Sequence, residues 1–164
     1  PWKDADFGIG DRQDTFEQLC AMYPEKREIF RKILFECSNW LTVPAEVENL
    51  LRQLRAAGYN LFYISNTNPM DYETMMHNYP ILRELDGGLA SFKEKVLKPD
   101  PAIYQLLLER YGLKADECLF VDDMPINTEA AEKVGFHTLT LTTGAASLET
   151  ALRSIPEIDQ SLIE

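Results

Sequence analysis

The most constraining feature of this sequence is an alternation. From residue 43 onward, short apolar runs take turns with amphipathic stretches, and two of those runs end directly in polar residues. Val47, Leu50, Leu51 and Leu54 recur at helical spacing, with Thr42 placed to cap the helix, Pro44 in its first turn and Gly58 as its stop. A strand follows over residues 61–64 and runs into Ser65-Asn66-Thr67-Asn68-Pro69. The pattern predicts a less regular helical stretch over 70–85, a break at Gly87-Gly88 and a weak strand over 89–92. Asp100-Pro101 opens a helix with Ile103, Leu106, Leu107 and Tyr111 inward, stopped by Gly112. Residues 118–121 form a short apolar strand that runs into Asp122-Asp123. A helix through Ala130, Ala131 and Val134 ends at Gly135, a strand covers 137–141, and a last helix covers 147–155 before Pro156. Parallel strands need long crossovers, and helices supply them. The order therefore argues for an α/β fold, a mainly parallel sheet with helices on both faces. In such sheets ligands bind beyond the carboxyl ends of the strands, which directs attention to Ser65 and to Asp122-Asp123.

The first 42 residues carry no convincing strand. Phe16, Leu19, Cys20 and Tyr23 fall at helical spacing, as do Ile29, Ile33, Leu34 and Cys37, which predicts two short amphipathic helices. Gly8-Ile9-Gly10 follows no strand, so it reads as a loop and not as a dinucleotide fingerprint.

Composition narrows the partners. The 164 residues are 45% hydrophobic and 26% charged, enough to bury a core without disulfide or metal staples. A net charge of -11 repels phosphate backbones, so nucleic acid is excluded as a partner. An anionic substrate must instead be drawn in by local positive charge or by a metal. Cys20, Cys37 and Cys118 are odd in number, match no zinc spacing and sit among apolar neighbours. They read as buried free thiols in a reducing cytoplasm. No apolar run reaches the roughly 18 residues of a membrane span, and no signal peptide opens the chain. Its first residue is Pro1, as in a processed chain or a fragment.

Three polar groups stand out. Ser65-Asn66 sets a hydroxyl and backbone N–H groups at a strand end, which suits a phosphate oxygen. Lys98 precedes Pro99 and a helix; a fixed ammonium there can offset phosphate charge and hold a nearby carboxylate ionised. Asp122 and Asp123 repel each other unless a cation sits beside them, and hard oxygen ligands with a phosphate favour Mg²⁺. Singly, each has an ordinary reading as a turn, a surface lysine and a helix cap. Their order along the chain carries the argument: strand–Ser, then Lys–Pro–helix, then strand–Asp–Asp–helix. His77 in a polar helical stretch reads as exposed, His137 at a strand start as structural, and Met70, Met75 and Met76 as helix packing.

In that order the segments FYISNTNP, VLKPDPAIYQLLLERYGL and CLFVDDMPINTEAAEKVGFHT resemble the second, third and fourth motifs of the haloacid dehalogenase (HAD) superfamily. The KPDPAIY run and the DDxxxNxxAAxxxG pattern resemble its phosphatases of small phosphorylated metabolites. The resemblance covers residues 43–145, and residues 1–42 resemble the tail of a small helical cap. It implies a HAD-like Rossmannoid core over 43–164 and a partial cap over 1–42. It also implies phosphate removal through an aspartyl-phosphate intermediate, with Mg²⁺ as cofactor. Ser65 and the Asn66 N–H would bind the phosphoryl group, and Lys98 would neutralise charge on it and on the nucleophile. Asp123 would hold Mg²⁺ most directly with Asp122 beside it, and Asn127 would brace the acidic loop.

One family motif finds no match. The first motif is an apolar strand ending in D-x-D, whose first aspartate attacks phosphorus and whose second is the general acid and base. Here D-x-D occurs as Asp4-Ala5-Asp6, preceded by Pro1-Trp2-Lys3, which cannot make a core strand. It reads as a solvated turn, and the nucleophile is expected outside this chain. In the family that strand lies between the Ser65 and Asp122 strands. A slot is therefore expected there, to be completed by a missing N-terminal segment, and the chain alone is expected to be unstable and inactive. An alternative is a non-catalytic remnant that binds phosphate, Mg²⁺ or a partner. A phospho-acceptor signalling domain is disfavoured, because its acidic pair comes first in the chain and here Asp122-Asp123 comes last.

Overall fold

The computed structural model describes residues 12–36, 42–141 and Leu152. In chain order its elements are α1 (Arg12–Met22), α2 (Arg27–Phe35), α3 (Ala45–Ala56), β1 (Phe62–Ser65), α4 (Pro69–Asn78), α5 (Ile81–Glu84) and β2 (Gly87–Ala90). They continue with α6 (Ser91–Glu94), α7 (Pro101–Tyr111), β3 (Leu119–Asp122), α8 (Pro125–Val134) and β4 (His137–Thr140). The chain divides into two compact units. One comprises Pro1–Thr42, Ser65–Glu84 and Ala90–Leu97; the other comprises Val43–Ile64, Leu85–Leu89 and Lys98–Glu164.

In the first unit α1 and α2 pack through Phe16, Cys20 and Leu34, with Leu19, Phe30 and Phe35 against them. The Phe16 and Phe35 rings meet edge to face at 5.6 Å, a geometry that suits their quadrupoles. Leu34 is buried as expected, but Ile29 and Ile33 are 55% and 43% exposed, and Phe30 joins Leu34 on the inward stripe of α2. The two isoleucines lie one position earlier on the helix, and that rotation turns them outward. Asn68 caps α4 by accepting from the Asp71 N–H at 3.1 Å, and Pro69 takes the first turn, where its missing N–H costs nothing. The stretch expected as one helix over 70–85 is two, α4 and α5. Pro80 disfavours helical backbone in the residue before it, and Tyr79 lies outside the helical region at φ -121, ψ 89.

In the second unit Leu50 and Leu54 of α3 join Leu152, with Leu61 and Leu119 packed against them. Pro44, not Thr42, is the cap of α3. It is extended at φ -58, ψ 142, and its carbonyl accepts from Val47 and Glu48. Val43 precedes a proline and so resists helical backbone, which fixes the helix start at that point. The Gly87-Gly88 pair was expected to break the chain, yet it forms the first half of β2, which pairs with β1. The reason is close approach. The Tyr111 hydroxyl accepts from the Gly88 N–H at 2.9 Å and donates to the Gly88 carbonyl at 3.2 Å. A Cβ on Gly88 would sit 2.5 Å from both Cγ and the carbonyl oxygen of Tyr63, so only glycine fits. The strand accordingly ends earlier than expected, and residues 91–94 are helical.

β3 and β4 pair in parallel, Leu119 opposite His137 and Asp122 opposite Thr140, with α8 as the crossover between them. The α/β class with parallel strands is therefore as the sequence predicted. Tyr104 of α7 closes the core on this side, its ring 5.2 Å from Phe120 and 6.1 Å from Phe136. Gly112 (φ 64) and Gly135 (φ 110) end α7 and α8 in left-handed backbone, the conformation glycine adopts without steric cost. Among the described residues the strands form two separate pairs, β1–β2 and β3–β4.

Candidate functional site

Asp122 is the last residue of β3, and α8 begins three residues later at Pro125. Strand pairing with β4 fixes its backbone, since the Leu141 N–H donates to the Asp122 carbonyl at 2.9 Å. Its side chain is buried, and three donors hold it. Lys98 Nζ lies 2.6 Å from Oδ2, while Asn127 Nδ2 and the Met124 N–H reach Oδ1 at 2.8 and 2.9 Å. Burial alone would push this carboxyl up. The hydrogen bonds from Lys98, Asn127 and the Met124 N–H, with the charge of Lys98, outweigh burial and hold it below the usual carboxylate range. Asp122 is thus an ionised anchor at neutral pH.

Lys98 arrives at this anchor just ahead of α7, whose start is capped by Asp100 Oδ1 accepting from the Ala102 N–H at 2.9 Å. The peptide between Lys98 and Pro99 is cis. Asn127 is buried on the first turns of α8 and is held from behind, its carbonyl accepting from the Tyr104 hydroxyl at 2.9 Å. Burial, and then the charge of Asp122, push the Tyr104 phenol far up, so it remains a neutral donor. The result is a continuous chain of contacts, Tyr104 to Asn127 to Asp122 to Lys98. Asp123, next to the buried anchor, is exposed.

Ser65 and Asn66 end β1 and open the loop to α4, and they are described with the first unit. Ser65 is half-buried and Asn66 exposed. The next residue, Thr67, is buried and exchanges two hydrogen bonds with Ser91. Its N–H donates to Ser91 Oγ at 2.9 Å, and its carbonyl accepts from that hydroxyl at 3.1 Å. Of the residues singled out from sequence, Lys98, Asp122 and Asn127 are brought into direct contact within the second unit. Tyr104 and Ser91 were not singled out. Tyr104 has a weak signal, a polar aromatic beside Ile103 and three residues before Leu107. Ser91 has none, because a lone serine after a strand carries no periodicity.

The remaining residues take plain roles. His77 is exposed as expected, and His137 Nε2 lies 3.0 Å from the Asp116 carbonyl at the exposed start of β4. Cys20 is buried and Cys118 half-buried, both as free thiols, and burial pushes the Cys118 thiol up. Cys37, Asp4, Asp6 and Gly8-Ile9-Gly10 lie outside the described residues. No described helix is long and apolar enough to cross a membrane.

Whether these residues suit Mg²⁺ is a question of donor chemistry. Among the described residues no three His, Cys, Asp or Glu side chains gather into a metal cage. Mg²⁺ does not need one, since it takes one or two carboxylates and fills its shell with water and phosphate oxygens. An exposed Asp123 beside Asp122 offers hard oxygen donors of that kind, with no nitrogen or sulfur ligand to favour another metal. The fit is with Mg²⁺.

Comparison with known proteins places the family. The model of the haloacid dehalogenase-like hydrolases matches residues 12–135. The chain is 30% identical over 136 residues to (S)-2-haloacid dehalogenase 4A of Burkholderia cepacia, covering 82% of this chain but 58% of that protein. It is 27% identical over 146 residues to a sesquiterpene phosphatase of Aspergillus oryzae, covering 89% of this chain and 74% of that one. A HAD family enzyme of Bacteroides thetaiotaomicron, solved with magnesium and inorganic phosphate, superposes with a TM-score of 0.71 at 22% identity, covering 88% of this chain and 77% of that one. With Asp122 at the end of a parallel strand, Lys98 and Asn127 bonded to it, and the family match covering residues 12–135, this chain belongs to the haloacid dehalogenase-like hydrolases.

Proposed function

We propose that this chain is part of a Mg²⁺-dependent phosphohydrolase that removes phosphate from a small phosphorylated metabolite in a reducing cytoplasm. The observation that carries this reading is the Lys98–Asp122–Asn127 cluster with exposed Asp123 beside it. Asp122, held ionised by three donors, keeps the acidic loop in one geometry. Asp123 would hold Mg²⁺ there with Asp122 beside it, and the cation would supply charge neutralisation for a bound phosphoryl group. Lys98 adds a second positive charge, so charge spreading over the phosphoryl group meets fixed partners. Ser65 and the Asn66 N–H are the further groups assigned to the phosphoryl oxygens. The attacking aspartate, which forms the aspartyl-phosphate, lies outside the described residues.

A second reading is hydrolytic dehalogenation of a small carboxylic acid, favoured by the likeness to the Burkholderia cepacia dehalogenase. There Lys98 would balance the charge of an attacking carboxylate, and no phosphate would be released. The two are separated by assaying the complete polypeptide that carries this sequence with sugar phosphates, nucleotides and 2-haloacids, with Mg²⁺ and with a chelator. Phosphate release that needs Mg²⁺ and is lost in Asp123→Asn supports the first. Halide release that survives chelation replaces it with the second. Binding of Mg²⁺ or phosphate with no turnover of either kind would make this a non-catalytic remnant.

A further inference from the structure

The loop that follows β1 has a fixed shape, and a residue far along the chain fixes it. Ser91 is fully buried, with 0% of its surface exposed, and Thr67 is 5% exposed. One hydroxyl satisfies both main-chain groups of Thr67, accepting from its N–H at 2.9 Å and donating to its carbonyl at 3.1 Å. Those two groups belong to the peptide planes on either side of Thr67. The first of these planes also contains the Asn66 carbonyl. Rotating it would therefore break a buried hydrogen bond, and an unmade buried bond is expensive. The far end of the loop is tied as well. Asn68 Nδ2 donates to Asp71 Oδ2 at 2.6 Å, and Asp71 is ion-paired with the buried Arg12.

Serine is the side chain suited to this place. It carries one donor and two acceptor lone pairs on a single atom. Alanine would leave the Thr67 N–H and carbonyl without that partner. Threonine would add a methyl group where no surface is exposed. Donors aimed at developing charge accelerate a reaction only if they are held in place beforehand, and Ser91 holds the peptide plane through which the Ser65–Asn66 segment leaves for the rest of the loop.

We propose that Ser91 is a positioning residue for phosphoryl binding: it sets the orientation of the Ser65–Asn66 loop without touching substrate. This rests on the assignment of Ser65 and Asn66 as phosphoryl ligands. The test is a double-mutant cycle on the complete polypeptide, using Ser65→Ala, Ser91→Ala and the pair. Turnover of p-nitrophenyl phosphate, inhibition by orthovanadate and the Mg²⁺ concentration dependence are read together. Ser91→Ala is expected to lower kcat by about tenfold to a hundredfold, the scale of a small misplacement, and to weaken vanadate by a similar factor. Half-saturation by Mg²⁺ should stay within about twofold, and in the Ser65→Ala background Ser91→Ala should add less than about threefold, because coupled residues are not additive. Ser91→Cys, which nearly keeps the volume and weakens the bonds, should fall between and serves if the alanine variant does not fold. Equal effects of Ser91→Ala in both backgrounds, or a lower melting temperature with kcat unchanged, would overturn the role of Ser91 alone. A silent Ser65→Ala would instead remove the phosphoryl assignment beneath it.

Discussion

Lys98 Nζ lies 2.6 Å from Asp122 Oδ2, with 13% and 5% of the two side chains exposed. A pair so closed to water gains little over apolar packing, but breaking it leaves a buried charge without a partner. Lys98→Met is therefore expected to destabilise the complete polypeptide by about 3 kcal/mol. The drop in urea midpoint at neutral pH measures it. Lys98→Met with Asp122→Leu should recover most of that loss, since the stranded charge is then gone. A double mutant no more stable than Lys98→Met would show that the carboxylate was not the source.

The same pair sets a pH dependence. Burial opposes ionisation of Asp122, but the hydrogen bonds from Lys98, Asn127 and Met124 prevail and its folded pKa is lowered. A lowered carboxyl pKa means that the unfolded chain binds the proton more readily. The stabilisation is complete above the unfolded value, about 3.9, and is lost as pH falls through the folded one. In Asn127→Ala one lowering interaction disappears and the folded pKa rises. Its stability deficit relative to the parent should therefore be present at neutral pH and shrink as pH drops below about 4. Urea unfolding at a series of pH values reads this directly, and a deficit that grows towards acid would contradict it.

Tyr104 extends the anchor into the core. Its hydroxyl donates to Asn127, and its ring packs on Phe120 and Phe136. Tyr104→Phe keeps the rings and removes one hydrogen bond, an expected loss of about 1 kcal/mol. Tyr104→Ala also empties the ring site, an expected loss of about 3–5 kcal/mol. Thermal unfolding should rank the two in that order. Near-equal losses would mean that the hydroxyl, and not the ring, holds this region together.

What could be read from sequence follows from how far each signal reaches. The strands at 61–64, 118–121 and 137–141 and the helices stopped by Gly112 and Gly135 announce themselves locally, through apolar runs and left-handed glycines, and the structure places each within a residue or two. Asn127 could be read too, because its motif fixes its distance from Asp122, and the 2.8 Å bond is there. Two of the errors, the cap of α3 and the break at Pro80, are local proline effects; the others arise at longer range. Gly87-Gly88 reads as a break until Tyr111, 23 residues later, lays its hydroxyl on that backbone. Ile29 and Ile33 read as core beside Leu34, but of these only Leu34 is buried, once α2 packs on Phe16 and Cys20 of α1. Ser91 carries no local signal, since its partner Thr67 is 24 residues away. Contacts between distant segments decide these positions, and no window of sequence contains both partners.

The Gly88 contact yields a sharp test. A methyl group there would meet the Tyr63 ring and its carbonyl at 2.5 Å, far inside contact distance. Backbone cannot yield as a flexible side chain can, so Gly88→Ala is expected to cost about 1–3 kcal/mol or more. Tyr63→Ala alone should not rescue it, because the carbonyl clash remains. A Gly88→Ala protein with an unchanged urea midpoint would mean that β1 and β2 are further apart than described.

Lys95 offers a change in the opposite direction. It ends α6 at φ 57, ψ 34, the described non-glycine residue with positive φ, and its N–H donates to the Ser91 carbonyl at 2.8 Å. An L-residue in that backbone carries a strain of about 1–2 kcal/mol. Glycine has no such strain but loses about 0.5–1 kcal/mol more chain entropy on folding. The difference favours Lys95→Gly, with a gain of about 0.5–1 kcal/mol. Because the hydrogen bond is made by the backbone, the substitution leaves it intact, and the turn that carries Ser91 keeps its path. The melting temperature should rise while kcat stays as it was. If Lys95→Gly lowers the melting temperature, the lysine side chain contributes more through its own contacts than its backbone costs.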